Sequence, residues 1–251
     1  MTVAETISTL PRRVAKRLRK PPVGWVRFGS LRRTEPIGRH YGWDRGRPID
    51  RYYIESFLAA HGSLITGEVL EIGERVYTER FGRGVRRSDM LHIDPVEDAT
   101  YVADLTDAPQ VPSDSYDCII LTQTLHMIFD MSAAVRTIQR VLKPGGVLLC
   151  TVPGISQVAD ADWNKTWYWS LTPLAARRLF SAQFPAESVD VGAFGNVLST
   201  TAFLHGLAER DLRPKELAVA DPEYPLVVTI VASKDSSQPY ETSAAHQGFR
   251  R

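Results

Sequence analysis

Between residues 68 and 232 the chain alternates short, nearly all-apolar runs with stretches of helical periodicity, and this alternation narrows the fold most. The runs are Glu68–Ile72, Asp89–Ile93, Tyr101–Ala103, Tyr116–Thr122, Val147–Val152, Val189–Ala193 and Pro225–Ala232. Their lengths and their β-branched and apolar content predict strands. Helical spacing occupies Asp50–His61, Ser132–Leu142, Pro173–Phe180 and Thr200–Leu207, and Lys143-Pro144-Gly145-Gly146 stops the second of these. Strands alternating with helices imply crossover connections and a mostly parallel sheet. Cys118–Leu121 and Val147–Cys150 have no polar face, so they belong in central strands covered on both sides. The expected fold is α/β, a Rossmann-like doubly wound sheet in a single domain, with ligands at the carboxyl ends of its strands.

Composition excludes several function classes. The 251 residues are 43% apolar and 24% charged, which is ordinary globular usage. No run of 18 apolar residues exists, so no membrane-spanning helix is expected. The first 22 residues lack the apolar core of an export signal, and the two cysteines, Cys118 and Cys150, sit inside apolar runs. A reduced, cytoplasmic setting is therefore expected. The net charge of +1 is unevenly spread, because ten Lys/Arg against Glu5 and Glu35 give residues 1–40 a charge of +8. Four segments follow: a basic arm over 1–22, a lid or substrate segment over 23–50, the main domain over 51–234, and a disordered polar tail over 235–251. In the arm, Ile7, Leu10, Val14 and Leu18 keep helical spacing opposite basic residues, which suits either a solvated helix or contact with an anionic membrane surface. The acidic remainder argues against a nucleic-acid track. The six histidines show no i, i+4 pair and the cysteines no zinc spacing, so no metal is expected.

Three strand ends carry the candidate chemistry. Glu71-Ile72-Gly73 puts an acid and then a glycine at a strand-to-helix turn, where backbone can approach a ligand closely. Asp94 follows about twenty residues on, the interval at which a carboxylate accepts ribose hydroxyls. Asp104 ends the third strand, beside Leu105, and suits an adenine amino group. Each acid taken alone also reads as a turn residue or a helix cap. In this order, with Tyr116-Asp117 opening the fourth strand and Leu142–Gly146 before the fifth, the set is much more specific.

These motifs resemble the class I S-adenosylmethionine (SAM)-dependent methyltransferases over roughly residues 50–155. The resemblance implies a seven-stranded sheet with an antiparallel last strand and SAM as cofactor. It also implies that Glu71, Ile72 and Gly73 line the methionine part of SAM, Asp94 the ribose, and Asp104 with Leu105 the adenine. Leu121 and Thr122 would lie beneath the sulfonium, and Arg51 would pair with the SAM carboxylate. Gly42–Leu58 and Tyr77–Gly82 are also similar to methyltransferases found beside bacterial glycosyltransferases, which implies a possible partner of that kind. One departure stands out. Arg75 and Tyr77 occupy positions where the family carries glycines, so a positive-φ turn there would be strained and the side chains would enter cofactor space.

Methyl transfer to a hydroxyl gains from a base that removes its proton, and His126, just past the fourth strand, stands where this fold presents residues to the reacting atoms. A backbone-bonded histidine is the competing reading; Tyr41 and Asp50 are the alternative bases. Two aromatic segments, one with Tyr41 and Trp43 and the other with Trp163, Trp167 and Tyr168, suit the stacking of a polar ring such as a sugar. Packing beneath a lid would use the same residues. The function expected is O-methylation of a small polar metabolite or glycan. A non-catalytic methyltransferase-like subunit that binds a glycosyltransferase or a membrane surface is the other class.

Overall fold

The computed structural model describes residues 21–158 and 165–234. The basic arm, the polar tail and Trp163 lie outside the described residues. The chain divides after Pro36 into two units, and the second, from Ile37 onward, holds every strand.

Seven strands form one sheet in the order β3-β2-β1-β4-β5-β7-β6. They are β1 (Gly67–Ile72), β2 (Val85–His92), β3 (Tyr101–Val102), β4 (Tyr116–Thr122), β5 (Leu142–Pro153), β6 (Val189–Phe194) and β7 (Val227–Ser233). Strands β1 to β5 pair in parallel, and β7 runs antiparallel to both β5 and β6. Among the described residues the α-helices are α1 (Ile49–Ala60), α2 (Val76–Phe81), α3 (Met131–Val141), α4 (Pro173–Ser181), α5 (Val197–Leu204) and α6 (Pro214–Leu217). None of these is long and apolar enough to cross a membrane.

The period of two along each strand divides the core between the two faces. Leu121 of β4 and Leu148 and Cys150 of β5 pack with Val135 and Ile138 of α3 and Phe180 of α4. Their sequence neighbours Cys118, Ile120 and Leu149 pack on the opposite face with Tyr53 and Phe57 of α1, Tyr77 of α2 and Phe203 of α5. Both faces of the central strands are covered, and this explains why their sequences lack a polar side.

Strand β5 starts at Leu142 rather than Val147 and takes in Lys143-Pro144-Gly145-Gly146, and two further elements differ from the sequence expectation. Strand β2 starts at Val85 rather than Asp89, because Val85 and Arg87 extend the parallel ladder with β1 on either side of a register shift at Arg86. Its expected last residue, Ile93, lies outside the strand and is 60% exposed. Helix α5 starts at Val197 rather than Thr200. Asn196 caps it by accepting hydrogen bonds from the Leu198 and Ser199 N–H groups at 3.0 Å each, and the Ser199 hydroxyl accepts from the Asn196 N–H. That reciprocal cap outweighs the apolar pattern further along.

Part of the presumed lid, from Ile37 onward, lies in the second unit. Ile37 and Gly38 N–H groups donate to the His205 carbonyl at 2.9 and 3.0 Å, and Pro48 bridges to Ala208. Arg45 clasps Asp211 through two hydrogen bonds at 2.7 and 3.0 Å. Gly42 lies so close to the chain that a Cβ there would stand 2.6 Å from the Leu207 carbonyl oxygen. This strap fixes Tyr41 and Trp43 to the body.

Candidate active site

The turn after β1 is built around Glu71. Its carboxylate is buried and accepts three hydrogen bonds, from the Tyr77 N–H at 3.1 Å and from the Thr78 N–H and hydroxyl at 2.7 Å each. These are the open donors at the start of α2, so the acid holds the helix N-terminus against the strand end. Burial pushes its carboxyl up, and the Thr78 hydroxyl and the two N–H groups pull against that shift. Gly73 has φ +95°, with nothing within 4 Å of where a Cβ would stand. Space therefore opens beside a backbone that favours glycine. Ile72 turns away into the core.

Arg75 and Tyr77 cause none of the backbone strain expected of them. Arg75 has φ −109°, an ordinary value for any residue, and its guanidinium donates to the Asp98 carbonyl in the loop after β2. Tyr77 is buried and stacks on Phe81 with ring centroids 6.1 Å apart. Its hydroxyl accepts from the Arg51 guanidinium, which lies 5.9 Å from the Trp43 ring centroid and 5.8 Å from that of Tyr77. Arg51 thereby joins α1 to α2 using one of its five donors, and the rest remain for an anionic group. Neighbouring Asp50 accepts from the Arg51 N–H at 2.8 Å. Burial pushes the Asp50 carboxyl up to about 6 against the pull of the Arg51 charge.

The acids at the ends of β2 and β3 face solvent. Asp94 is exposed; its N–H donates to His92 Nδ1 at 2.9 Å, and its carboxylate has no partner among the described residues. Asp104 accepts from the Thr106 N–H and hydroxyl through one oxygen, both at 2.8 Å, leaving the other oxygen open. Leu105 and Leu121 are 5% and 0% exposed and lie in the core, where they support the strand ends rather than line a surface. Thr122, half-buried, closes β4.

Past β4 the chain makes a single 3-10 turn, Leu125–Met127, and presents His126. The imidazole is 2% exposed, and neither ring nitrogen has a hydrogen-bond partner among the described residues. Burial pushes it down to about 4, so it is neutral and carries a free lone pair at physiological pH. Trp167 meets it edge-on at 4.3 Å between centroids and stacks nearly parallel on Tyr41 at 6.4 Å. Tyr41 also packs on Phe203 of α5. The Tyr168 and Trp169 N–H groups both donate to the His126 carbonyl at 3.2 Å, pinning this segment over the turn. The structure thus brings together His126, Tyr41 and Trp167. Trp43 stands apart with Arg51, and Tyr168 turns outward against Phe129.

Sequence reasoning passed over Gln123, Thr151 and Thr229, whose buried polar atoms also lack partners. A signal was available for Gln123: a polar residue directly after an apolar strand in this fold faces the ligand edge.

A family model described as a methyltransferase domain matches residues 52–186, more than half of the chain. The chain belongs to the class I SAM-dependent methyltransferases. Among solved structures, a SAM-dependent methyltransferase from Archaeoglobus fulgidus is 13% identical with a TM-score of 0.50, covering 73% of this chain and 94% of its own. The 1,6-didemethyltoxoflavin N1-methyltransferase of Burkholderia thailandensis, solved with its substrate and S-adenosylhomocysteine, is 14% identical with a TM-score of 0.48, covering 77% and 81%. The likeness to the Archaeoglobus fulgidus structure supports the fold of this methyltransferase. Comparison with curated protein sequences gave no match.

Proposed function

We propose that this methyltransferase binds SAM and methylates a hydroxyl of a small polar molecule or glycan. The observation that carries the acceptor reading is His126, a buried imidazole with both nitrogens unpartnered at the carboxyl end of β4. Buried polar groups without partners are rare in folded proteins and concentrate at sites that receive a ligand. The strand ends fit the cofactor. Gly73 offers close backbone approach, Asp94 an unengaged carboxylate for the ribose diol, and Asp104 a free oxygen for the adenine amino group. Arg51 offers its spare donors to the methionine carboxylate, and Glu71 keeps the Gly73 turn in shape.

SAM, when bound, supplies an electrophilic methyl carried on a sulfonium sulfur. The residues of this chain then have two tasks. One is alignment, which contributes most of the acceleration in an in-line displacement. Trp167 and Tyr41 provide rings for the acceptor to lie against, and the strap over 37–48 holds Tyr41 in place. The other is proton removal from the acceptor hydroxyl, which falls to the neutral His126 imidazole.

Calorimetric titration with SAM and with S-adenosylhomocysteine tests the first step; folded protein giving neither heat nor a thermal shift would end this reading. Asp94→Ala should weaken either ligand more than about tenfold by deleting charge-assisted hydrogen bonds. Unchanged affinity would remove Asp94 from the cofactor site.

A further inference from the structure

Among the described residues, Ser88 and His205 bury polar atoms without a partner, and so do three side chains near His126 in the chain or at its end of the sheet: Gln123 Nε2, Thr151 Oγ1 and Thr229 Oγ1. These three sit at one end of adjacent strands β4, β5 and β7. Thr151 and Thr229 are direct cross-strand partners, so their side chains leave the same face of the sheet. Leu149 and Val231, two residues along on each strand, pack there with α1 and α5, while the threonines are 0% and 1% exposed. Gln123 follows Thr122, the register partner of Thr151, and its N–H donates to the Thr151 carbonyl at 2.9 Å. Its φ is +47°, a left-handed conformation that is costly for a glutamine and that, where observed, marks functional turns.

We propose that Gln123, Thr151 and Thr229 extend the acceptor pocket begun at His126 and select an uncharged acceptor bearing neighbouring hydroxyls. This rests on the methyltransferase reading above. The set consists of an amide, two hydroxyls and an imidazole, with no ionised side chain among them. An amide N–H donates, a hydroxyl both donates and accepts, and a neutral imidazole nitrogen accepts, which matches a run of hydroxyl groups. A charged acceptor buried against this set would lose its hydration without a counter-charge. A purely structural account predicts ordered water at each atom and no dependence of ligand binding on these residues.

Saturation-transfer NMR in the presence of S-adenosylhomocysteine at pH 6.5 compares methyl β-glucopyranoside with glucosamine and glucuronate, which differ mainly in charge. The neutral glycoside should bind, with at least about tenfold preference over either charged sugar. Gln123→Leu and Thr151→Val should each weaken it about tenfold. Thr151→Val should at the same time raise Tm by about 2 °C, because it removes a buried unpartnered hydroxyl. Gln123→Glu should turn the preference towards glucosamine. With S-adenosylhomocysteine binding intact, the proposal is overturned by equal binding of the charged sugars, by no binding of the neutral glycoside, or by indifference of its affinity to both Gln123→Leu and Thr151→Val. Loss of S-adenosylhomocysteine binding in the parent protein would instead defeat the cofactor reading.

Discussion

His126→Ala should lower turnover by about 10²–10⁴ while leaving S-adenosylhomocysteine affinity within about threefold, the range expected when a general base is removed. His126→Phe keeps a ring against Trp167 and should lose comparable activity, which separates the lone pair from the packing. The pH–rate profile carries a second test. An unperturbed histidine would give an acid limb near 6.5, but burial has pushed this imidazole down to about 4. Activity should therefore hold as the pH falls through 6 and drop only towards 4, where the base becomes protonated. A limb near 6 would assign the proton transfer to Asp50, whose carboxyl burial pushes up to about 6. Retention of activity in both His126 variants would remove the histidine from the reaction.

The same depressed value makes a stability statement. The unfolded chain binds a proton at His126 near 6.5 and the folded chain only near 4, so the folded state is favoured above 6.5 and loses ground as pH falls. The loss by pH 4 is about 3 kcal/mol for this group. Asp50 works in the opposite direction. Its folded value is raised, so its contribution is present below its ordinary carboxylate range and is lost as pH rises through about 6. His126→Phe should therefore gain stability over the parent progressively between pH 6.5 and 4, as read from denaturant midpoints. A constant difference across that window would show that the imidazole titrates normally.

Glu71→Ala should be the most destabilising single change near the site. It leaves two backbone N–H groups and the Thr78 hydroxyl without their acceptor, inside a region where water does not replace it. A cost of about 3 kcal/mol follows from three lost hydrogen bonds and their unsatisfied donors. For a chain of this size Tm should fall by about 6–12 °C. Since Glu71 holds the turn that carries Gly73, S-adenosylhomocysteine affinity should fall about tenfold in protein that is still folded. Scanning calorimetry reads the Tm, and titration calorimetry below the variant's own Tm reads the affinity. An unchanged Tm would mean that another group holds the start of α2.

Sequence alone determined the alternation of strands and helices along the chain. The runs from Glu68–Ile72 to Pro225–Ala232 were legible because strand and helix periods are local properties, and because central strands covered on both faces must be apolar throughout. It also identified the order of acids at three strand ends, and the structure leaves Asp94 and one oxygen of Asp104 open there. What the two substituted glycine positions do was not legible, because the backbone angle of Arg75 and the partner of Tyr77 depend on α1 lying across α2. The resemblance implies that Leu105 and Leu121 neighbour the ligand; the phase of β4 turns Leu121 into the core, and the turn after β3 buries Leu105. The meeting of Tyr41, His126 and Trp167 joins residues far apart in the chain, and only strand order and the strap onto the body bring them together. Whether a buried polar atom has a partner is likewise a property of the packed molecule. Thr151 and Thr229 therefore read as ordinary strand residues until their neighbours are in place, since burial and hydrogen bonding are set by the whole fold rather than by any local segment.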